Sequence, residues 1–207
     1  NYQADSTEIF RIITNVEGRG SCADVGGFFD ITVHPIPQAT LTNDNPEGCN
    51  PVTTTLGMNI TNQVDPNTSN YAWTLGDAGN STAATASTTL TYTTDGQPRA
   101  DLTLTSDKGC DTTLSTTTRV NPIPVANFLP NPDNYTTAAL PRFQFNDKST
   151  VAPINGATIT DYAWNFGDPD NSTSVEQNPS FFYPPDTGSL NITLTVTTNH
   201  GCTNTFS

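Results

Sequence analysis

Tyr162-Ala163-Trp164-Asn165-Phe166-Gly167-Asp168 restates a stretch found 91 residues earlier, Tyr71-Ala72-Trp73-Thr74-Leu75-Gly76-Asp77. In both, large apolar residues fall on every second position, the period of a strand with one buried face. A Trp in the middle of such a face can fill the centre of a small β-sandwich, because a ring of that size buries a large apolar area. Gly-Asp then ends the strand. Gly permits a backbone turn closed to other residues, and Asp accepts hydrogen bonds from nearby backbone N–H groups. Asp77 and Asp168 are therefore read as turn formers.

The self-similarity extends outward from this stretch. His34-Pro35-Ile36-Pro37-Gln38-Ala39 recurs as Asn121-Pro122-Ile123-Pro124-Val125-Ala126. A Gly/Ser-Cys pair occurs at Ser21-Cys22, Gly109-Cys110 and Gly201-Cys202, each preceded 18 to 20 residues earlier by Tyr2, Tyr92 or Tyr183. Trp73 to Tyr92 and Trp164 to Tyr183 both span 19 residues. A fixed period of this length marks a tandem array. It divides the chain into residues 1–38, the C-terminal part of one unit; 39–125, a complete unit; and 126–207, a unit lacking its last strand. Partial units leave strand edges to be paired. The segment is expected to be a window of a longer array, whose end strands are completed along the same chain or, by strand donation, from a neighbouring subunit.

Within the complete unit, Val52, Leu56, Met58 and Ile60 share one strand face, followed by Tyr71, Trp73 and Leu75, then Leu90 and Tyr92, Leu102 and Leu104, and Leu114 leading to Val120. The third unit repeats this with Phe143 and Phe145, then Tyr162, Trp164 and Phe166, Phe182 or Tyr183, and Leu190, Ile192, Leu194 and Val196. The first piece supplies Phe10 and Ile12, then Phe29, Ile31 and Val33. No comparable stretch has helical spacing. About seven short strands per repeat with one early Trp is the pattern of tandem immunoglobulin-like β-sandwiches, an all-β fold.

The chain of 207 residues carries 7 Lys+Arg against 20 Asp+Glu, a net charge of −13. That balance argues against nucleic acid, whose phosphates are neutralised by clustered Lys and Arg. No apolar run reaches the ~18 residues of a membrane span, so no membrane insertion is expected. Thr, Asn and Ser make up the polar mass, and β-branched Thr suits the solvent face of a strand. The chain contains no nucleophile elbow, zinc-protease helix or phosphate-cradling glycine loop, so no catalytic residue is assigned. His34, at the Pro-x-Pro junction, and His200, before Gly201, are read as solvated turn residues.

These residues resemble the polycystic kidney disease (PKD) domain family. Its hallmarks are a Trp-x-Phe-Gly-Asp-Gly turn, a Pro-x-x-x-Tyr segment and a strand ending in Gly-Cys. The third unit carries Trp164 to Asp168, Pro179 to Tyr183, and Leu194-Thr195-Val196-Thr197-Thr198-Asn199-His200-Gly201-Cys202. The middle unit departs from the pattern, with Leu75 for Phe, Ala78 for the second Gly and no Pro before Tyr92. The Gly-Cys and Pro-Ile-Pro variants are similar to those of large bacterial surface and gliding-type adhesins. The resemblance implies a β-sandwich used in arrays on cell surfaces, or beside secreted enzymes, with no catalytic residues of its own.

Cys49 opens the first long strand of the middle unit, and Cys110 follows the strand before its last. Placed at opposite ends of neighbouring strands, they are expected to form a disulfide, stabilising by about 4 kcal/mol in the chain-entropy model and implying an oxidising compartment. Cys22 matches Cys110, so its partner is expected upstream. Cys202 has no matching partner near Ala139 and is expected to be free or paired with another chain. Asp168 and Asp170, within Asp168-Pro169-Asp170-Asn171-Ser172, are weak calcium candidates because they lack the glycine and distal Glu of an EF-hand loop; no other cofactor is expected. Sequons begin at Asn59, Asn67, Asn80, Asn134, Asn171 and Asn191, and Ser6 and Thr112 lie in three-residue motifs resembling bacterial O-glycosylation sites.

Sandwiches joined by stiff Pro-x-Pro linkers are expected to act as an extracellular stalk or fibre whose partners are other repeats of the chain or neighbouring subunits. The alternative is an accessory module attaching a secreted hydrolase to its substrate. A third reading, binding of surface glycans or proteins through loops 78–89 or 150–160, lacks the aromatic residues that stack on sugars.

Overall fold

The computed structural model describes residues 6–16, 25–61, 68–131, 142–183 and 188–207. Tyr2, Cys22, Asn67 and Asn134 therefore lie outside the described residues. The fold is all-β. Among the described residues a single short 3-10 turn, Ile154–Gly156, interrupts the strands. No helix among the described residues is long and apolar enough to cross a membrane.

The first piece is a hairpin of β1 (Glu8–Val16) and β2 (Val25–Val33), paired antiparallel with Ile13 opposite Phe28. The middle repeat supplies β3 (Ala39–Asn43), β4 (Glu47–Cys49), β5 (Val52–Ile60), β6 (Thr68–Thr74), β7 (Thr82–Ala83), β8 (Ser87–Tyr92), β9 (Arg99–Ser106), β10 (Asp111–Thr117) and β11 (Arg119–Asn121). The third supplies β12 (Phe128–Asn131), β13 (Arg142–Asp147), β14 (Ile159–Asn165), β15 (Thr173–Ser174), β16 (Ser180–Phe182), β17 (Thr193–Thr198) and β18 (Thr203–Phe206).

Both repeats are woven alike. A three-stranded sheet, β3-β5-β8, accompanies a four-stranded sheet, β10-β9-β6-β7; in the third repeat these become β12-β13-β16 and β15-β14-β17-β18. The Trp strand sits inside its sheet, with Trp73 opposite Leu102 and Trp164 opposite Leu194. A register shift precedes each Trp, between Thr68 and Asn70 and between Ile159 and Asp161. Bulges of this kind bend a strand and sharpen its twist.

The alternating pattern selects the cores. Leu56, Trp73, Leu75, Ala100, Leu102 and Leu104 form one. Ala126, Phe128, Phe145, Trp164, Phe166, Tyr183, Leu194 and Val196 form the other. The second is rich in rings: Phe128 meets Trp164 edge-on at 5.1 Å, and Phe166 stacks on Phe181 at 4.4 Å. Such pairs stabilise beyond the area they bury. Between the two candidates for the inward aromatic of β16 and its flank, Tyr183 is buried and Phe182 is exposed.

Two parts of the predicted pattern run out of the core. Ile60 ends β5 in solvent, although it shares the face of Leu56. The hairpin residues Ile12, Phe29 and Ile31 are exposed, as are Ile9, Ile13 and Phe28 on its other face. Their period is that of a strand, but among the described residues this is a two-stranded sheet with no further strand beside it. Arg11 covers part of it, bonding Asp30 at 2.8 Å while lying 4.3 Å above the Phe28 ring.

The chain divides into two units that do not follow the sequence repeat. One comprises residues 1–44, 54–90 and 99–117; the other comprises 45–53, 91–98 and 118–207. The short segments 45–53 and 91–98 of the middle repeat thus belong with the third.

Candidate functional site: the Cys49–Cys202 clasp and the Gly-Asp turns

Cys49 is bonded to Cys202, not to Cys110, with Cα atoms 5.6 Å apart. Cys110 is a free, half-buried thiol. Both the expected Cys49–Cys110 pair and the expected lack of a partner for Cys202 are corrected. The physical reason lies in β4. It pairs with β11 in parallel, with Glu47 opposite Arg119, Gly48 opposite Val120 and Cys49 opposite Asn121. That register carries Cys49 to the start of the Asn-Pro-Ile-Pro linker, next to the third repeat. Cys110 sits instead in the β9–β10 turn, its Sγ 4.0 Å from the carbonyl of His34.

A polar network surrounds the clasp. Asn50 donates its backbone N–H to the Asn121 carbonyl at 2.9 Å, and its side chain reaches Thr93 O at 3.0 Å and Asp95 at 2.7 Å. Asn121 is buried, yet its amide donates to Glu47 at 2.9 Å and accepts from Asn155 at 3.1 Å. Asn155 adopts a positive φ of 56° and spends its remaining N–H on the carbonyls of Val120 (2.9 Å) and Gly96 (3.3 Å). A buried amide is tolerated only when satisfied in this way. His200 is not a solvated turn residue: its side chain is 14% exposed, one ring nitrogen 3.5 Å from Glu47 and the other 3.1 Å from the Asn155 carbonyl. Loop 150–160 thus turns its central amide inward, toward backbone.

The Gly-Asp turns are built identically. Asp77 accepts the backbone N–H of Ser81 at 2.6 Å and its hydroxyl at 2.7 Å. Asp168 accepts from Ser172 at 2.7 Å and 2.8 Å. Leu75 and Phe166 close the loops on Ser81 and Ser172 carbonyls, and each Trp indole donates at 2.9 Å, to Thr85 or Glu176. The Ser81 hydroxyl, then its N–H, hold the Asp77 carboxyl below its ordinary range. For Asp168 burial is the largest single influence and acts upward, but the bonds from Ser172 and the turn backbone together outweigh it and leave the carboxyl lowered.

These turns hold residues of two candidate sites. Each carboxylate oxygen of Asp168 accepts one hydrogen bond from Ser172, so the carboxylate closes the turn. Asp170 is exposed. Among the described residues no group of three or more His, Cys, Asp or Glu side chains could hold a metal. Asn80 and Asn171 occupy positive φ of 48° and 52°, one residue before the clamped serine, so their Asn-Ser-Thr sequences serve the turn whatever else they do. With Asn59 and Asn191 they are exposed; Ser6 is exposed and Thr112 half-buried. The clasp network escaped sequence reading because its residues are scattered Asn, Glu and His with no shared spacing. The Gly-Asp turn formers were the legible part.

Comparison with known proteins adds a family. A model described as PKD domain matches residues 34–122 and again residues 121–207. Curated proteins return no match. The solved fibronectin(III)-like modules of Clostridium thermocellum CbhA align with 80% of this chain and 89% of theirs, at 10% identity and a TM-score of 0.36.

Proposed function

Because the chain belongs to the PKD domain family, we propose that it is a non-catalytic extracellular spacer that bears tension, as part of a surface stalk or fibre. The observation that carries this reading is the Cys49–Cys202 bond, which closes a loop of sequence separation 153. Force applied at the two ends of the chain passes from residue 49 to residue 202 through one covalent bond. Most of two repeats is thereby shielded from extension. Such a bond persists outside the reducing cytosol. The net charge of −13 favours solubility and disfavours nucleic acid as a partner.

Stretching single molecules from their ends tests this reading. In oxidising buffer the loop stays closed at any force below bond rupture. Added reductant should lengthen the fully extended chain by on the order of 500 Å, the reach of the 153-residue interval. An extended length unchanged by reductant would overturn it.

A further inference from the structure

The turns that carry Cys110 and Cys202 are bonded alike. Ser106 N donates to Cys110 O at 2.8 Å, Gly109 N to Ser106 O at 3.0 Å, and Cys110 N to Ser106 Oγ at 3.1 Å. The matching bonds are Thr198 N to Cys202 O at 2.9 Å, Gly201 N to Thr198 O at 2.8 Å, and Cys202 N to Thr198 Oγ1 at 3.1 Å. Gly109 and Gly201 have φ of 79° and 78°. Cys110 and Cys202 therefore hold the same place in successive repeats.

Their surroundings match as well. Cys202 is bonded to Cys49, which pairs in register with Asn121, the first residue of Asn-Pro-Ile-Pro. The earlier copy of that tetrapeptide is His34-Pro35-Ile36-Pro37, and the Cys110 Sγ stands 4.0 Å from the His34 carbonyl. Cys110 thus faces the counterpart of the segment beside which Cys202 meets its partner. We infer that Cys110 is an inter-repeat disulfide site. Its partner is a cysteine on a strand like Glu47-Gly48-Cys49, laid parallel to the segment ending at His34 and belonging to another repeat of this kind. Cys49 of the same chain is already taken. The rule is general: the turn cysteine of one repeat clasps the β4-type cysteine of the repeat before it. Whether or not the array bears load, this follows from the equivalence of the two turns.

The bond forms by thiol–disulfide exchange with a disulfide-bearing oxidant, a small molecule or a protein. One thiolate breaks the oxidant's S–S bond and expels a thiolate. The second thiolate then displaces the other half, so two electrons leave the cysteine pair for the oxidant and the two thiol protons pass to solvent.

A peptide of residues 45–52, with Cys49 activated as its 2-pyridyl disulfide, tests the site on the whole chain carrying Cys22→Ser. The Cys110 thiolate attacks the peptide sulfur and releases pyridine-2-thione, which is followed by absorbance. If the site is built as inferred, the peptide should react about tenfold faster than a scrambled version, because docking raises effective concentration. Mass mapping should place it on Cys110, Cys110→Ser should abolish release, and denaturant should erase the difference between peptides. Equal rates for the two peptides on the folded chain would overturn the inference.

Discussion

Gly76 and Gly167 are constrained twice over. Each adopts a positive φ, 64° and 68°, and a Cβ added there would fall onto backbone, at the carbonyl of Arg99, which opens β9, or of Asn191, just before β17. Gly109 has the φ without the crowding. Gly109→Ala should therefore cost about 1–2 kcal/mol, the left-handed penalty alone, whereas Gly167→Ala should cost about 3 kcal/mol or more because backbone must also move; urea denaturation of the whole chain compares them. The aspartates beside these glycines set an acid limit. Their folded carboxyls titrate below the ordinary value of about 4, so the unfolded chain binds more protons in that window and stability falls as pH drops below it. Ser81→Ala and Ser172→Ala should each flatten the fall of Tm as pH drops below about 4. Tyr183 sets the opposite limit. Burial first, and the nearby Asp168 charge second, push its hydroxyl up to about 12, where it donates to the Phe166 carbonyl at 3.0 Å. Its contribution is complete below the unfolded value of about 10 and is lost as pH rises from there toward the folded one. Tyr183→Phe should remove that alkaline loss, as read by Tm against pH.

The long strands were legible because their inward faces alternate: Trp73, Leu75, Leu102 and Leu104 are all buried, as are Trp164, Phe166, Leu194 and Val196. The pairing of β4 with β11 was not legible. Glu47-Gly48-Cys49 has no apolar alternation, and its partner lies some seventy residues on, in a parallel register that only the folded chain defines. Hidden with it was the destination of Cys49. Reasoning inside one repeat pairs that cysteine with Cys110; the β4–β11 register hands it to the next repeat. The buried Asn121 amide was hidden for the same reason, since a lone Asn before Pro reads as a linker. The energetic consequence differs between the two cysteines. Closing a loop of separation 153 stabilises by about 5 kcal/mol in the chain-entropy model. Cys202→Ser should lose up to that amount in chemical denaturation, while Cys110→Ser in the isolated chain should shift the midpoint little. Equal losses would mean that Cys49 is not committed to Cys202.

Each of the two units owns one core and one Trp: Trp73 with Leu56, Leu102 and Leu104 in the first, Trp164 with Phe145, Leu194 and Val196 in the second. Both indoles are buried, so each reports the melting of its own core by fluorescence. The disulfide lies wholly in the second unit, since residues 45–53 belong to it. When the first unit opens alone, residues 49 and 202 are still held by the folded second unit. The covalent bond then restrains nothing further, and its removal should leave that transition in place. When the second unit opens, the bond limits how far its chain can spread, and loop-closure entropy then acts. Single-Trp variants, Trp164→Phe to watch Trp73 and Trp73→Phe to watch Trp164, separate the two events. Reductant should lower the denaturation midpoint seen by Trp164 and move that seen by Trp73 much less. Midpoints falling together would mean that the two cores melt as one, and that the clasp stabilises the whole segment rather than the unit that contains it.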